Sequence, residues 1–127
     1  MKKTLKLLTI SGIACMMAFL TSCEKKYYVA PPPPDPTVPV SYEMDMQPFF
    51  DAKCIDCHNG GGVPLDLTSP GSYENLLDPS KDYIDIDTPE NSSLYTKIIP
   101  GGSMESFATQ VDRDMTLLWI EQGAKDN

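Results

Sequence analysis

The residues in this sequence best suited to chemistry are two cysteines and a histidine within five positions, Cys54-Ile55-Asp56-Cys57-His58. On a helix, positions i, i+3 and i+4 share one face, so both thiols and the imidazole would face the core together. Two thioether bonds to the vinyl groups of a haem, with the histidine as an axial iron ligand, require this arrangement. The motif therefore predicts one covalently attached haem c, held by Cys54, Cys57 and His58.

Three other uses of paired cysteines fit the sequence less well. A thioredoxin-like dithiol would follow a strand in a βαβ unit, and no strand pattern precedes Cys54. A structural zinc ion would need four ligands, whereas the sequence offers one histidine and two cysteines that have no other predicted role. A disulfide across two residues would be strained and would leave His58 without a role.

The second axial ligand of the iron is predicted to be a methionine further along the chain, as in low-spin electron-transfer sites. Met104 follows the flexible segment Pro100–Ser103, which could fold over an open haem face. Met115 is the alternative, although a methionine in a helical apolar stripe is more often core packing. Met44 and Met46 would have to reach around the ring, and an open or water-bound position is a further alternative.

The loop after the motif predicts the surroundings of the haem. An axial histidine normally donates its other ring N–H to a backbone carbonyl, and the carbonyl of Pro64 is the predicted acceptor. Leu65 and Leu67 are expected to pack against the ring, with a plain core role as the alternative. Three glycines, Gly60, Gly61 and Gly62, give the intervening backbone its conformational freedom.

The elements that position these groups read as short helices, which predicts a mostly α domain. The first helix would be capped by Asp45, carry Pro48 in its first turn, and run from about Met46 into the motif. Two further short helices are predicted over about 70–77 and 92–98. The alternating segment Tyr83–Asp87 indicates an extended surface stretch.

The last helix has the clearest signals. Thr109-Gln110-Val111-Asp112 is a plausible capping box, and Gly123 suits the position after the helix. An apolar stripe at helical spacing follows from Val111, Met115, Leu118 and Trp119. Trp119 is expected to pack with Phe49 or Phe50 where the first and last helices cross.

The first 22 residues are typical of a secretory signal, with three lysines ahead of the apolar stretch Leu7–Leu20. Leu20-Thr21-Ser22-Cys23 resembles the lipobox of bacterial lipoproteins, which predicts that Cys23 becomes the lipidated first mature residue. A chance cysteine after a plain signal peptide is the alternative. Residues 23–40, rich in proline, then form a semi-rigid tether, and residues 41–127 form the domain.

The charge balance restricts the partners. Removing the signal would take three lysines and leave 105 residues with a net charge of −11 instead of −8. So acidic a chain is not expected to bind nucleic acid. From Ser41 to Asn127 there are 16 acidic and five basic residues, which favours redox partner proteins with a basic docking face. A purely solvating acidic surface is the alternative.

Several blocks together resemble small cytochrome c domains of lipoproteins from Bacteroidetes and Planctomycetes. The blocks, which fall within about Tyr42 to Lys125, are Gln47-Pro48-Phe49-Phe50-Asp51-Ala52-Lys53-Cys54-Ile55-Asp56-Cys57-His58-Asn59-Gly60-Gly61, Leu65-Asp66-Leu67, Gly71-Ser72-Tyr73-Glu74-Asn75-Leu76, Asn91-Ser92-Ser93-Leu94-Tyr95-Thr96-Lys97-Ile98 and Trp119-Ile120-Glu121-Gln122-Gly123-Ala124. The resemblance implies a class I cytochrome c-like fold, with first and last helices crossing beside the haem. In that family the axial methionine usually stands in a Met-Pro pair, whereas Glu105 follows Met104 here.

The predicted function is single-electron transfer between periplasmic redox partners, by a protein that is anchored through lipid to a membrane of a Gram-negative bacterium. Because Glu24 rather than aspartate follows the predicted lipidation site, the outer membrane is favoured over the inner one. An open-site haem protein, such as a ligand sensor or peroxidase, and a haem-bearing adaptor subunit are the alternatives. Catalysis would want a distal histidine or arginine, and Arg113 is the single arginine.

Overall fold

Residues 32–127 are described by a computed structural model, and within that range the chain forms helices and turns without β-strands. The predicted mostly α class is therefore confirmed. The predicted signal over residues 1–22, the predicted lipidation site Cys23 and the tether up to residue 31 lie outside the described residues. Among residues 32–127, no helix has the length and apolar character needed to cross a bilayer.

Four α-helices make up the described part: α1 Gln47–Lys53, α2 Ser72–Leu76, α3 Ser93–Ile98 and α4 Gln110–Glu121. A π-helical turn, Tyr42–Met46, leads directly into α1. Short 3₁₀ turns at Pro89–Asn91 and Glu105–Phe107 come before α3 and α4. The predicted helices over 70–77 and 92–98 are thus present in shorter form, as α2 and α3.

The first helical segment begins earlier than predicted. Ser41 is the capping residue, because its hydroxyl accepts a hydrogen bond from the Met44 N–H at 3.2 Å. Asp45 instead accepts from the Ser41 N–H at 2.8 Å, so it supports the cap but is not the cap itself. The π-helical turn causes the difference, since it adds a turn before α1. Pro48 lies in the first turn of α1, as predicted.

Helix α4 begins and ends as the sequence predicts. The Thr109 hydroxyl accepts from the Asp112 N–H at 3.3 Å, and the Asp112 carboxylate accepts from the Thr109 N–H at 2.7 Å, which completes a capping box. Gly123 follows the helix with a φ of +94°. Within the predicted stripe, Leu118 and Trp119 are buried and the other two residues are partly buried.

The core is centred on aromatic rings from the first and last helical segments. The ring of Tyr42 lies 5.4 Å from Trp119, 5.0 Å from Tyr73 and 6.2 Å from Phe50, measured between centroids. Tyr42 therefore makes the ring contact with Trp119 that was expected from Phe49 or Phe50, because the unpredicted π-helical turn carries it onto α4. Burial in this cluster raises the pKa of Tyr42 to about 12, with a smaller opposing effect of its hydrogen bond to Ser72.

A buried polar chain ties α1 to the segment after the motif. The Tyr42 hydroxyl donates to Ser72 Oγ at 2.8 Å, and Ser72 Oγ in turn donates to Gln47 Oε1. The Gln47 side chain donates to the Leu67 carbonyl at 3.1 Å. Because each polar atom in this chain has a partner, its burial is not penalised, and the segment around Leu67 is held against α1.

The first helical segment touches α4 at two separate points. Tyr42 contacts Trp119 near the end of α4, and Lys53 pairs with Asp112 near its beginning, with 2.6 Å between Nζ and Oδ2. The start of one segment therefore meets the end of the other. These two contacts place the residues that follow Lys53 at the N-terminal end of α4.

The predicted tether is bonded to the domain along its last residues. The Val40 N–H donates to Gln122 Oε1 at 2.8 Å, and Gln122 Nε2 donates to the Val38 carbonyl at 3.0 Å. Val40 itself is buried in the core. The segment Pro36–Val40 therefore lies against the C-terminal end of α4. The segment Tyr83–Asp87 forms no strand and is only in part a surface stretch, because Tyr83 and Ile84 pack partly buried against the core while Ile86 is exposed. The Tyr83 carbonyl accepts from the Leu94 N–H at 3.0 Å.

Candidate functional site

The Cys54–His58 motif forms one turn beyond the end of α1. The helix ends at Lys53, so the prediction that it continues through the motif is wrong. Two backbone bonds nevertheless keep the motif coiled: the His58 N–H donates to the Cys54 carbonyl at 2.9 Å, and the Cys57 N–H donates to the same oxygen at 3.2 Å. Cys54 and His58 therefore keep the spacing of a helical turn after the regular helix has ended.

The two thiols differ in burial. Cys54 is partly buried and packs against the core, whereas Cys57 is exposed. The expectation that both thiols face the core is therefore wrong for Cys57, because the chain diverges from the axis of α1 once that helix ends. Both cysteines are free thiols rather than a disulfide. A group that bonded to both sulfurs would lie at the boundary between core and solvent.

Burial raises the pKa of the Cys54 thiol to about 11, with a further increase from the Asp112 carboxylate and a smaller opposing effect of Lys53. A thiol with this pKa is protonated near neutral pH. Redox-active dithiols depend on the opposite condition, a lowered pKa that supplies thiolate. The environment of Cys54 therefore disfavours the thioredoxin-like use of the motif.

The His58 ring is oriented by a backbone carbonyl. Its Nδ1 lies 2.9 Å from the carbonyl oxygen of Leu65. Since a carbonyl can only accept, Nδ1 carries the proton, and in the neutral imidazole Nε2 carries the lone pair. This is the tautomer in which a histidine binds a metal through Nε2.

The acceptor is Leu65 rather than the predicted Pro64. Leu65 has a φ of +73°, a left-handed conformation that leucine rarely adopts. This conformation turns the chain so that the carbonyl one residue later than predicted reaches the ring. The leucine side chain packs partly buried against the core, while Leu67 is almost completely buried at 3% exposure. The predicted contact of Leu65 and Leu67 with the haem ring stays a prediction.

The loop between His58 and Leu67 is closed by its own backbone. The Leu67 N–H donates to the His58 carbonyl at 2.9 Å, next to the ring contact with Leu65. Gly60 has a φ of +77°, and a Cβ there would lie 2.8 Å from Asp66 Oδ2. The loop therefore requires glycine at this position, both for its conformation and for the close approach of Asp66.

Met104 is held by a tight fold of the loop after α3. Its N–H donates to the Lys97 carbonyl at 2.8 Å, and the Gly102 N–H donates to the Ile99 carbonyl at 2.8 Å. A Cβ on Gly102 would overlap the backbone of Lys97, so this fold depends on glycine. The loop that carries Met104 is therefore packed onto the end of α3. The sequence indicated a flexible loop here, and the glycine pair was the only signal of a close approach.

The predicted site residues Cys54, Leu65, Met104 and Met115 share one feature, since each packs partly buried against the same hydrophobic core. Met115 does so from the middle of α4, and Met104 from the loop before it. A core with partly exposed apolar side chains around its edge can bury more apolar surface when a flat apolar group binds there. The choice between Met104 and Met115 as iron ligand is still a prediction.

The ion pair between Lys53 and Asp112 lies next to Cys54. Burial alone would raise the pKa of the Asp112 carboxyl, but hydrogen bonds from Lys53 and Thr109 outweigh it and lower the pKa below its usual value of 3.8. Asp112 is thus ionised at neutral pH and is shared between the pair and the cap of α4. This single carboxylate links the motif turn to the last helix.

Comparison with protein-family models, with curated proteins and with solved structures found no match to this chain. Among residues 32–127, no three histidine, cysteine, aspartate or glutamate side chains converge in a way that would hold a metal ion between them. The donor set of the motif is one imidazole and two thiols on a single turn. This set fits haem c, for which the protein supplies two sulfurs for covalent bonds and one nitrogen for iron.

Proposed function

We propose that this protein is a c-type cytochrome that carries single electrons between redox partner proteins. The observation that carries the proposal is the His58 ring, which donates through Nδ1 to the Leu65 carbonyl at 2.9 Å while Cys54 and Cys57 lie on the same turn. An imidazole fixed in this tautomer offers Nε2 to a metal. The two neighbouring thiols have no other bonding role among the described residues.

Cys54 and Cys57 would hold the haem through thioether bonds, and His58 would bind its iron through Nε2. Bound haem c supplies one-electron chemistry at its iron. The polypeptide contributes the orientation of His58, through the Leu65 carbonyl, and the packing of apolar side chains. Met104, which packs partly buried against the same core as Cys54, would be the second residue to hold the iron.

The proposed architecture is a cytochrome c-like arrangement in which the first and last helices cross. The observation behind it is that these two segments pack together: Tyr42 meets Trp119 with 5.4 Å between the ring centroids, and Lys53 meets Asp112 at 2.6 Å. The motif follows Lys53 directly, and the Met104 loop comes shortly before α4. Both proposed iron ligands therefore belong to segments that adjoin this helix pair.

Electron transfer is favoured over haem catalysis because the one arginine, Arg113, is already engaged in a structural hydrogen bond. A peroxidase-like reaction needs a distal acid–base group, usually histidine or arginine. His58 is assigned to the iron, and the chain has no other histidine and no other arginine. The Arg113 guanidinium already donates to the Ala108 carbonyl at 2.7 Å, so it serves to connect α4 to the preceding segment.

The partners and location proposed follow from charge and from the N-terminal sequence. The 16 acidic residues between Ser41 and Asn127 favour a redox partner with a basic docking face, because complementary charge raises the encounter rate. The lipobox-like segment supports lipid attachment at Cys23, on the periplasmic side of a Gram-negative outer membrane. Nucleic acid is not a proposed partner, since its phosphates require basic residues.

Optical spectra of the ferric and ferrous protein test the axial ligands. With Met104 on the iron, the wild type should be low-spin, and Met104→Ala should bind imidazole or cyanide readily. Met115→Ala is the matched control, and it should lower stability while leaving the spectrum nearly unchanged. The opposite pattern would assign the ligand to Met115, and a high-spin wild type would favour an open site with sensing or catalysis.

A further inference from the structure

The end of the proline-rich tether is bound by one glutamine side chain. Gln122 accepts from the Val40 N–H through Oε1 at 2.8 Å and donates from Nε2 to the Val38 carbonyl at 3.0 Å. The amide thus pairs with the N–H and the carbonyl of two residues that follow the turn at Pro36 and Thr37. Both bonds span more than 80 residues of sequence, so they fix the tether to the last helix.

Two further contacts strengthen this attachment. The Val40 side chain is buried, with 7% of its surface exposed, and it lines a cavity together with Trp119 and Gln122. The Asn127 side-chain oxygen accepts from the Tyr42 N–H at 3.1 Å, immediately after the bound segment. The segment is therefore held by apolar burial as well as by hydrogen bonds, and its path is defined up to the first helical turn.

The bound tether lies at the end of α4 that is remote from the motif. Asp112, near the start of the helix, bonds to Lys53, which directly precedes Cys54. Gln122 follows ten residues later, which corresponds to about 15 Å along the helix at 1.5 Å per residue. Helix α4 therefore separates the point where the tether reaches the domain from the Cys54–His58 turn.

We propose that Gln122 is a clamp that holds Pro36–Val40 against the C-terminal end of α4 and so keeps this segment away from the Cys54–His58 turn. The inference rests on the proposed function, because the benefit is an unobstructed turn for a redox partner on a protein held by lipid. Release of the clamp would detach the five residues Pro36–Val40 from α4. At about 3.1 Å per residue these five residues would reach roughly 15 Å when extended, which matches the separation of Gln122 and Asp112 along α4.

The clamp can be tested on the full mature, haem-loaded chain. Nitroxide labels at Thr37→Cys and Asp114→Cys report the distance between the tether and the start of α4 by pulsed electron resonance. The clamped protein should give one narrow distance distribution, and Gln122→Ala should broaden it and accelerate exchange of the Val40 amide proton at least tenfold. Gln122→Glu, which keeps the acceptor for Val40 and loses the donor to Val38, should give an intermediate result.

Gln110→Ala is the matched control, since Gln110 is an exposed glutamine at the other end of α4. It should leave the distance distribution and the Val40 exchange rate unchanged. A narrow distribution that persists in Gln122→Ala with native helical content would overturn the clamp. A chain that carries no covalent haem but responds to Gln122→Ala would instead overturn the proposed function, so the two failures are distinguishable.

Discussion

The two ends of α4 are built in different ways. At the tether end, around Trp119 and Gln122, the polar side-chain groups form hydrogen bonds within the chain. Trp119 is fully buried and its Nε1 donates to the Lys125 carbonyl at 3.0 Å, and the Gln122 side chain accepts from the Val40 N–H of the tether. At the motif end, around Cys54 and Asp112, one thiol is exposed and the nearby side chains of Ile55 and Leu65 are only partly buried, whereas Leu67 is buried. The difference is that the tether end pairs its polar groups within the chain, whereas the motif end leaves a thiol exposed and apolar side chains partly exposed.

The largest effect is expected from removing both thiols. Cys54→Ala together with Cys57→Ala should abolish covalent haem and lower the free energy of unfolding by roughly 5 kcal/mol or more, because the covalent staple and part of the core are lost together. The amide protons of the motif loop, such as that of Leu67, should lose protection first. Haem staining on a denaturing gel and hydrogen exchange measure both effects. A double variant with native stability would contradict the view that the motif end of α4 depends on a bound group.

The second effect concerns the tether end. Trp119→Ala should cost about 3–5 kcal/mol, because it removes a completely buried aromatic side chain. This loss of stability should be similar with and without haem if the packing at the tether end does not depend on the haem. Phe107→Ala is the control: Phe107 is 50% exposed, so its loss should cost about 0.5 kcal/mol or less. Chemical denaturation provides the values, and equal costs for the two variants would contradict this assignment of the core.

A smaller loss of stability, at the motif end of α4, is expected from replacing Gly102. Gly102→Ala would push the Met104 loop away from the Lys97 carbonyl, which we expect to cost about 1–3 kcal/mol, as overpacking generally does. Gly71→Ala is the control, because the nearest atom to its Cβ would be 3.9 Å away. If Met104 binds the iron, Gly102→Ala should also make the haem accessible to imidazole. If the loop is displaced and the haem spectrum is unchanged, Met104 does not bind the iron.

The smallest effect is the pH dependence of the ion pair at the motif end. The pKa of Asp112 is lowered in the folded protein by Lys53 and Thr109, which outweigh burial. The pair therefore contributes stability at a pH above the usual aspartate value of 3.8, and this contribution is lost as the pH falls through the lower, folded-state pKa. Asp112→Asn should flatten stability against pH in that acid window. Asp114→Asn, which replaces a partly buried neighbour that takes no part in the ion pair, should not.

Local signals in the sequence predicted the helical elements well. The capping box at Thr109, the glycine at position 123 and the 3.6-residue stripe each depend on neighbouring residues, so α4 was predicted with its ends. The five-residue motif likewise carries its chemistry within one turn. The α-helix that leads into it was predicted too long, because nothing local marks its end at Lys53.

The remaining features depend on distant contacts or on rare backbone conformations. The carbonyl that orients His58 belongs to Leu65 because of a positive φ, which a leucine in a sequence does not signal. Gln122 and Asn127 act on residues more than 80 positions earlier, so no pattern in either segment reveals the contact. These residues could be found only after the fold had brought the two ends of the domain together.

The measurement that tests the central claim most directly is the intact mass of the protein purified from cells able to attach haem in the periplasm. A lipidated c-type cytochrome should show the mass of the mature chain with its lipid plus one haem, unchanged by acid–acetone extraction, with neither Cys54 nor Cys57 open to alkylation by iodoacetamide. The mass of the polypeptide and its lipid alone, with both cysteines alkylated after denaturation, would contradict it.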